Sequence, residues 1–162
     1  MANVIYVGDV WHQHCDQVLR EEANREHGLI IVATEEPNET IKAIADIEWL
    51  TVDVSTLEAQ GRLLDLVRQR LPLSAVHYAL PSEPAPGAEA QERFLKQGVM
   101  APRSLLTAVL ALTCAEPCSI KLYESGGSSA DSAAINAYWQ AWIRASDASV
   151  SCRVQWIPRA SG

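Results

Sequence analysis

The sequence predicts an α/β fold, a doubly wound (Rossmann-like) parallel sheet of about six strands with helices on both faces. Two observations carry the expectation. Short β-rich apolar runs alternate with longer stretches of helical spacing, the pattern of βαβ units. The alternation also resumes after the proline-rich segment at 81–90, so residues 1–162 read as one domain with a mobile loop at 81–90. At 162 residues, 48% of them hydrophobic and 20% charged, the chain can bury a single sizeable core.

The elements follow in order. "NVIYVG" (Asn3 to Gly8) reads as the first strand. A helix follows to about Glu26, with Trp11, Cys15, Val18 and Leu19 on one face and Gly28 as its positive-φ terminator. "LIIVAT" (Leu29 to Thr34) is strand two, a short helix covers "ETIKAIAD", and "IEWLTVDV" (Ile47 to Val54) is strand three. The next helix opens at "STLE", where Ser55 and Glu58 match a capping box, and runs to Leu71 with Leu57, Leu64, Val67 and Leu71 on one face. "AVHYAL" (Ala75 to Leu80) is strand four. A long helix spans about Glu89 to Ala115 with Pro102 as a kink or break, because proline has no N–H for the helix ladder. "CSIKLYES" (Cys118 to Ser125) is strand five, "DSAAINAYWQAWIRAS" is the last helix, and "VSCRVQWIP" (Val150 to Pro158) is strand six. Right-handed crossovers then place helices on both faces.

A formal net charge of −7 argues against nucleic acid or an anionic membrane as the main partner. No apolar run approaches the roughly 18 residues of a membrane span. Four scattered cysteines and an amino end unlike a signal peptide lead to the expectation of a reduced, cytoplasmic chain.

The stretch "VGDVWHQHCDQ" (Val7 to Gln17) stands where many α/β proteins carry a glycine-rich phosphate loop. His12, His14, Cys15 and Asp16 are all ligand types. On a helix, however, the two histidines diverge and Cys15 falls on the core face, so no metal site is expected. Cys114 and Cys118 flank Pro117 and read as buried small hydrophobes. "GGSS" (Gly126 to Ser129) reads as a flexible turn or, alternatively, an anion-binding nest.

This order of elements, with "DV" (Asp53, Val54) ending strand three, an alanine in "HYAL" ending strand four, "VMAP" in the long helix and Ser125 thirteen residues before Tyr138, resembles the short-chain dehydrogenase/reductase (SDR) family. The likeness runs from strand one to strand six. It implies NAD or NADP binding at the strand ends, with Gly8 as the first glycine of the phosphate turn, Glu35 near the ribose hydroxyls and Asp53 on the adenine side. It also implies Ser125 and Tyr138 as the catalytic serine and tyrosine. Departures from the pattern are equally specific. His12 and His14 stand where the turn needs its other glycines, Trp142 replaces the lysine that lowers the tyrosine pKa, and Gly98 replaces the supporting asparagine.

These losses lead to the expectation of a non-catalytic subunit, a pseudoenzyme with no cofactor and a structural or regulatory role. It would be a homodimer or a heteromer with a full-length SDR. The family dimerises through this last helix and the long helix before it, which makes Tyr138, Trp139 and Trp142 candidate interface anchors; the alternative is that they bury inward against the sheet. The rival expectations are an NAD(P)-dependent oxidoreductase with an atypical cofactor pose, and a small-ligand sensor whose crevice is lined by His12, His77 and Tyr78.

Overall fold

The fold is seen in a computed structural model, which describes residues 3–8, 20–21, 28–44, 47–82, 84, 86–113, 118–151 and 153–158. Six strands, β1 (Asn3–Val7), β2 (Gly28–Ala33), β3 (Ile47–Thr51), β4 (Leu73–Ala79), β5 (Ser119–Tyr123) and β6 (Val154–Ile157), form one sheet in the order β3-β2-β1-β4-β5-β6. Every pairing is parallel, with Ile5 set between Ile30 and Val76. The strand order reverses direction between β1 and β4. That reversal opens a crevice at the carboxyl ends of the strands.

The central strands are apolar on both faces because both faces are covered, as expected for parallel sheets. Ile5, Val7, Ile30, Val32, Val76, Tyr78, Ile120 and Leu122 project into the larger core. The helices α2 (Leu57–Gln69), α4 (Ala101–Leu112) and α5 (Ala130–Ala145) close that side with Leu63, Val67, Leu105, Leu106, Val109, Ile135 and Trp139. On the opposite face Val4, Tyr6, Leu29, Ile31 and Ala75 pack with Ile41 of α1 (Glu39–Lys42). Helix α3 (Ala88–Leu95) leads into α4 through one π-helical turn at Lys96–Met100, and α6 (Ala148–Ser151) precedes β6.

The doubly wound sheet is the one the sequence predicts, with corrections at element ends. Gly28 does not take the expected positive φ; it is the first residue of β2, paired with Asn3, and an added Cβ would collide with the Asn3 side-chain oxygen. The cap of α2 is Thr56, whose hydroxyl accepts from the Ala59 amide at 3.2 Å, while Ser55 hydrogen-bonds Asp53 instead. This shifts the buried stripe to Ala59, Leu63 and Val67 and leaves Leu57 86% exposed. The segment expected as a loop at 81–90 gives way to helix at Ala88, and Val150 and Ser151 are helical where strand six was expected to begin. Of the helix expected after strand one, Arg20 and Glu21 are helical, and the rest lies outside the described residues.

Candidate functional site: a cleft at the strand ends

The carboxyl ends of β1, β2, β3 and β4 surround a cavity of about 240 Å³. Its walls are mostly apolar: Val7, Val32, Ala33, Val52, Val54 and Ala79. Thr34, Glu35, Ser82 and Gln97 bring the polar groups. This is the crevice position in which open α/β sheets bind ligands.

Gly8 forms the floor at the end of β1. Its φ of +135° and its close approach to β4 both require glycine, since a Cβ would lie 2.7 Å from the Ala79 Cβ and 2.7 Å from the Ala79 carbonyl oxygen. Its amide donates to the Val32 carbonyl at 2.9 Å. Gly8 and Ala79 are therefore one packing pair, which joins the glycine and the strand-four alanine of the sequence pattern. Glu35 stands exposed on the cavity rim.

Asp53 is not on the cavity wall. Its carboxylate turns toward the helices, accepting from the Ser55 amide (3.0 Å), the Ser55 hydroxyl (2.7 Å) and Gln97 Nε2 (3.1 Å), with Arg93 Nε at 3.5 Å. Partial burial opposes its ionisation. The Ser55 bonds, Gln97 and the Arg93 charge outweigh that effect and hold the carboxyl below its ordinary value. Asp53 thus ties the β3–α2 turn to the α3 region, a role nearer to the turn-residue reading than to direct ligand contact.

The residue that sequence reasoning missed is Gln97, on the π-helical turn. Pro102 has no N–H, and the Ala101 N–H reaches back five residues to the Lys96 carbonyl. The carbonyls of Gln97 and Gly98 lose the partners an α-helix would supply. Two buried side chains replace them: the Tyr78 hydroxyl donates to the Gln97 carbonyl at 3.1 Å, and Trp139 Nε1 donates to the Gly98 carbonyl at 2.6 Å. Pro102 sits in the first turn of α4, just past the π turn. The available signal was a proline five residues after a polar residue in an apolar helix, which fixes a break but not its direction.

The family-like catalytic positions lie at the other end of the crevice and are engaged in structure. Ser125 is buried; its hydroxyl donates to the Pro81 carbonyl at 2.6 Å, and its amide and carbonyl are clasped by the Asn136 side chain at 2.7 and 3.1 Å. Ser132 adds contacts from its own hydroxyl to Ser125 Oγ at 3.3 Å and to the Gly126 carbonyl at 3.3 Å. Ser125 and Tyr138 are not hydrogen-bonded to each other. Tyr138 instead packs its ring edge-on to Trp139 at 5.1 Å, and Trp142 packs on the same indole at 5.3 Å.

Trp139 is fully buried, so it takes the inward alternative and is a core residue rather than an interface anchor. Tyr138 and Trp142 are half-buried. At the asparagine position, the Gly98 Cα faces Ile135 so closely that a Cβ would lie 2.5 Å from Ile135 Cδ1. His77, expected to line the crevice, is buried on the opposite face of the sheet, stacked on Tyr6 and 2.8 Å from the Tyr123 hydroxyl through Nδ1. Tyr78 does line the cavity.

His12, His14, Cys15 and Asp16 lie outside the described residues, as does Cys114. Among the described residues no group of three or more His, Cys, Asp or Glu is placed to hold a metal ion. No helix among them is long and apolar enough to cross a membrane.

The sheet order, the crevice and its helices define a Rossmann-type α/β protein. Its likeness to solved structures is more specific. The bulky-bulky ketone specific alcohol dehydrogenase from Comamonas testosteroni superposes with a TM-score of 0.80 at 15% identity, covering 99% of this chain and 75% of that one. An oxidoreductase of the short-chain dehydrogenase/reductase family from Brucella ovis, solved with a partially ordered NAD, gives 0.78 at 15% identity, over 98% of this chain and 83% of its own. A short-chain dehydrogenase from Leptospira borgpetersenii with bound NAD+ gives 0.73 at 12% identity, over 89% and 64%. The chain has the short-chain dehydrogenase/reductase fold. No protein-family model matches the sequence, and no curated protein does.

Proposed function

We propose that this chain is a non-catalytic member of the short-chain dehydrogenase/reductase family, a structural or regulatory subunit that acts in the cytoplasm as a homodimer or beside an active, full-length relative. The observation that carries the reading is the use of the catalytic positions for packing. The Ser125 hydroxyl donates to the Pro81 carbonyl, Trp142 rests on Trp139 where a cation would be needed, and Gly98 abuts Ile135. A tyrosine without an adjacent cation is a poor base at neutral pH, and a serine already donating its proton cannot offer it to a substrate oxygen.

A nicotinamide cofactor fits one end of the crevice and not the other. The strand-end cavity and Glu35 fit the nucleoside part. The reacting end would meet a serine hydroxyl already committed to Pro81 and a tryptophan in place of a cation, and these do not fit it. The second reading, an oxidoreductase holding NAD or NADP in an altered pose, is favoured by two solved neighbours that carry NAD.

Titration with NADH and NADPH, together with turnover assays on ketones and alcohols, separates the two. The expected outcome is no turnover and no saturable micromolar binding of either dinucleotide. Turnover abolished by Tyr138→Phe would overturn the proposal. Mass measurement of the native complex tests the oligomer: a homodimer or a complex with a longer relative supports the subunit role, and a lone monomer contradicts it.

A further inference from the structure

The sheet has two outer edges, β3 and β6, and they are guarded differently. In a parallel ladder, alternate residues turn their N–H and C=O toward the neighbouring strand. The Val52 amide donates to the Ala33 carbonyl at 2.9 Å, so in the β2–β3 register Glu48, Leu50 and Val52 face inward, and Ile47, Trp49 and Thr51 present their backbone groups outward. Among the described residues no strand pairs with that outer side.

At the opposite edge, the Ile120 amide donates to the Arg153 carbonyl at 2.8 Å, which turns Val154, Trp156 and Pro158 outward. Pro158 has no N–H to continue a ladder, and β6 is only four residues long, two devices that blunt an edge. β3 lacks both. Its residues Ile47 to Thr51 include no Lys and no Pro, its register with β2 runs without a bulge, and Trp49 is 41% exposed.

The outward residues of β3 complement themselves. Set antiparallel about Trp49, two copies of the strand place Trp49 opposite Trp49 as a hydrogen-bonded pair and Ile47 opposite Thr51 on either side, so every outward N–H and C=O meets a partner. Glu48, ion-paired with Arg70, then falls opposite Leu50, and no like charges oppose each other. The two indoles meet at the symmetry axis. Lys42, which stands 5.5 Å from the Trp49 ring centroid, has its charge matched by Glu36 at 2.8 Å. A strand that complements its own reversed copy fits a second copy of this chain, because an isologous interface is one patch used twice.

We propose that β3 is a homodimer edge: its outer side pairs antiparallel with β3 of a second copy, centred on Trp49, and joins the two sheets into one. This surface is separate from the α4 and α5 faces that the family resemblance implies. The inference deepens the subunit reading by naming the surface that carries the homodimer, and it does not depend on whether the chain is catalytic.

The test is sedimentation of the purified full chain over a concentration series, with residue-resolved hydrogen exchange at its dilute and concentrated ends. A dimer is expected when concentrated, with the Ile47, Trp49 and Thr51 amides protected in it and released on dilution, while the Val154 and Trp156 amides exchange alike at both ends. Trp49→Lys sets two cations against each other at the symmetry axis and should weaken the dimer at least about 10-fold. Thr51→Pro removes an outward donor and none of the bonds to β2, so it should weaken the dimer with the indole still in place. Gln155→Lys, on the other edge strand, should leave the dimer unchanged.

A monomer at millimolar concentration, a dimer as tight in both β3 variants as in the parent chain, or a dimer whose Ile47, Trp49 and Thr51 amides exchange freely would each overturn the proposal. The two readings fail separately. Turnover with a nicotinamide dinucleotide defeats the non-catalytic assignment and leaves the edge pairing in place, whereas an inactive, monomeric purified chain overturns the edge pairing and leaves a heteromer with a longer relative.

Discussion

The two ends of the crevice have been treated differently by this sequence. At the β1–β3 end, the floor is stripped down: Gly8 closes on Ala79, the walls are valines, and space remains for a ligand. At the β5–α5 end, side chains pack and hydrogen-bond inside the protein, through Ser125 on Pro81, Trp139 on Gly98 and Trp142 on Trp139. The contrast is between an open cavity on one side of the sheet's switch point and a tightly packed end on the other.

The largest expected effect tests the filled end. Trp139→Ala removes a fully buried indole and strands the Gly98 carbonyl, so it should destabilise the chain by about 3–5 kcal/mol, read as a lower urea midpoint at unchanged slope. A loss below about 1 kcal/mol would show that α5 is not locked to the π-helical turn as described. At the open end, Gly8→Ala should cost about 1–3 kcal/mol, because the new Cβ meets Ala79 and the backbone stays in a conformation that L residues avoid. Combining it with Ala79→Gly should recover part of the loss, since that change removes the opposing Cβ but leaves the backbone strain and the Ala79 carbonyl contact.

A smaller effect comes from Ser125→Ala. It removes the hydroxyl that satisfies the Pro81 carbonyl and should cost about 1–2 kcal/mol in the same unfolding assay. Tyr138→Phe should change stability less than Ser125→Ala does. The reverse order would mean that the tyrosine, not the serine, carries the buried bond.

The smallest effect is acid dependence at the junction between the two ends. The Asp53 carboxyl is held below its ordinary value, so its contribution is present at neutral pH and is lost as pH falls below about 4 toward the folded value. Because the group is partly exposed, the loss should stay below about 1 kcal/mol. Asp53→Asn should flatten that part of the acid-unfolding curve. An unchanged curve would remove Asp53 from the network that holds Gln97.

Much of this was legible in the residues because local patterns bind strongly to local structure. The six apolar runs became six strands in a single parallel sheet, and the β-branched runs of β1, β2 and β4 are the ones buried on both faces. The capped start of α2 was visible within a residue, because caps are written in neighbouring side chains; the choice of Thr56 over Ser55 turned on Asp53 drawing the Ser55 hydroxyl away, and β3 ends at Thr51, three residues before the expected Val54. The family-like spacing of Ser125, Tyr138 and Trp142 was readable along the chain as well. Their use was less visible. Whether Trp139 faced a partner or the sheet depended on helix rotation, in a helix apolar nearly all round, and His77 and Tyr78, adjacent in the chain, point to opposite faces because successive strand residues alternate.

By itself, then, the sequence determined the class of fold, the chain order of its elements and the absence of the family's lysine and asparagine, because periodicity and residue identity are one-dimensional properties. Tertiary structure alone decided that Tyr78 and Trp139 would hold the carbonyls left bare before Pro102, and that Asp53 would accept from Gln97. Those contacts join residues 19, 41 and 44 positions apart. A hydrogen bond over that separation exists only once the sheet has brought its ends together, and no local pattern encodes it.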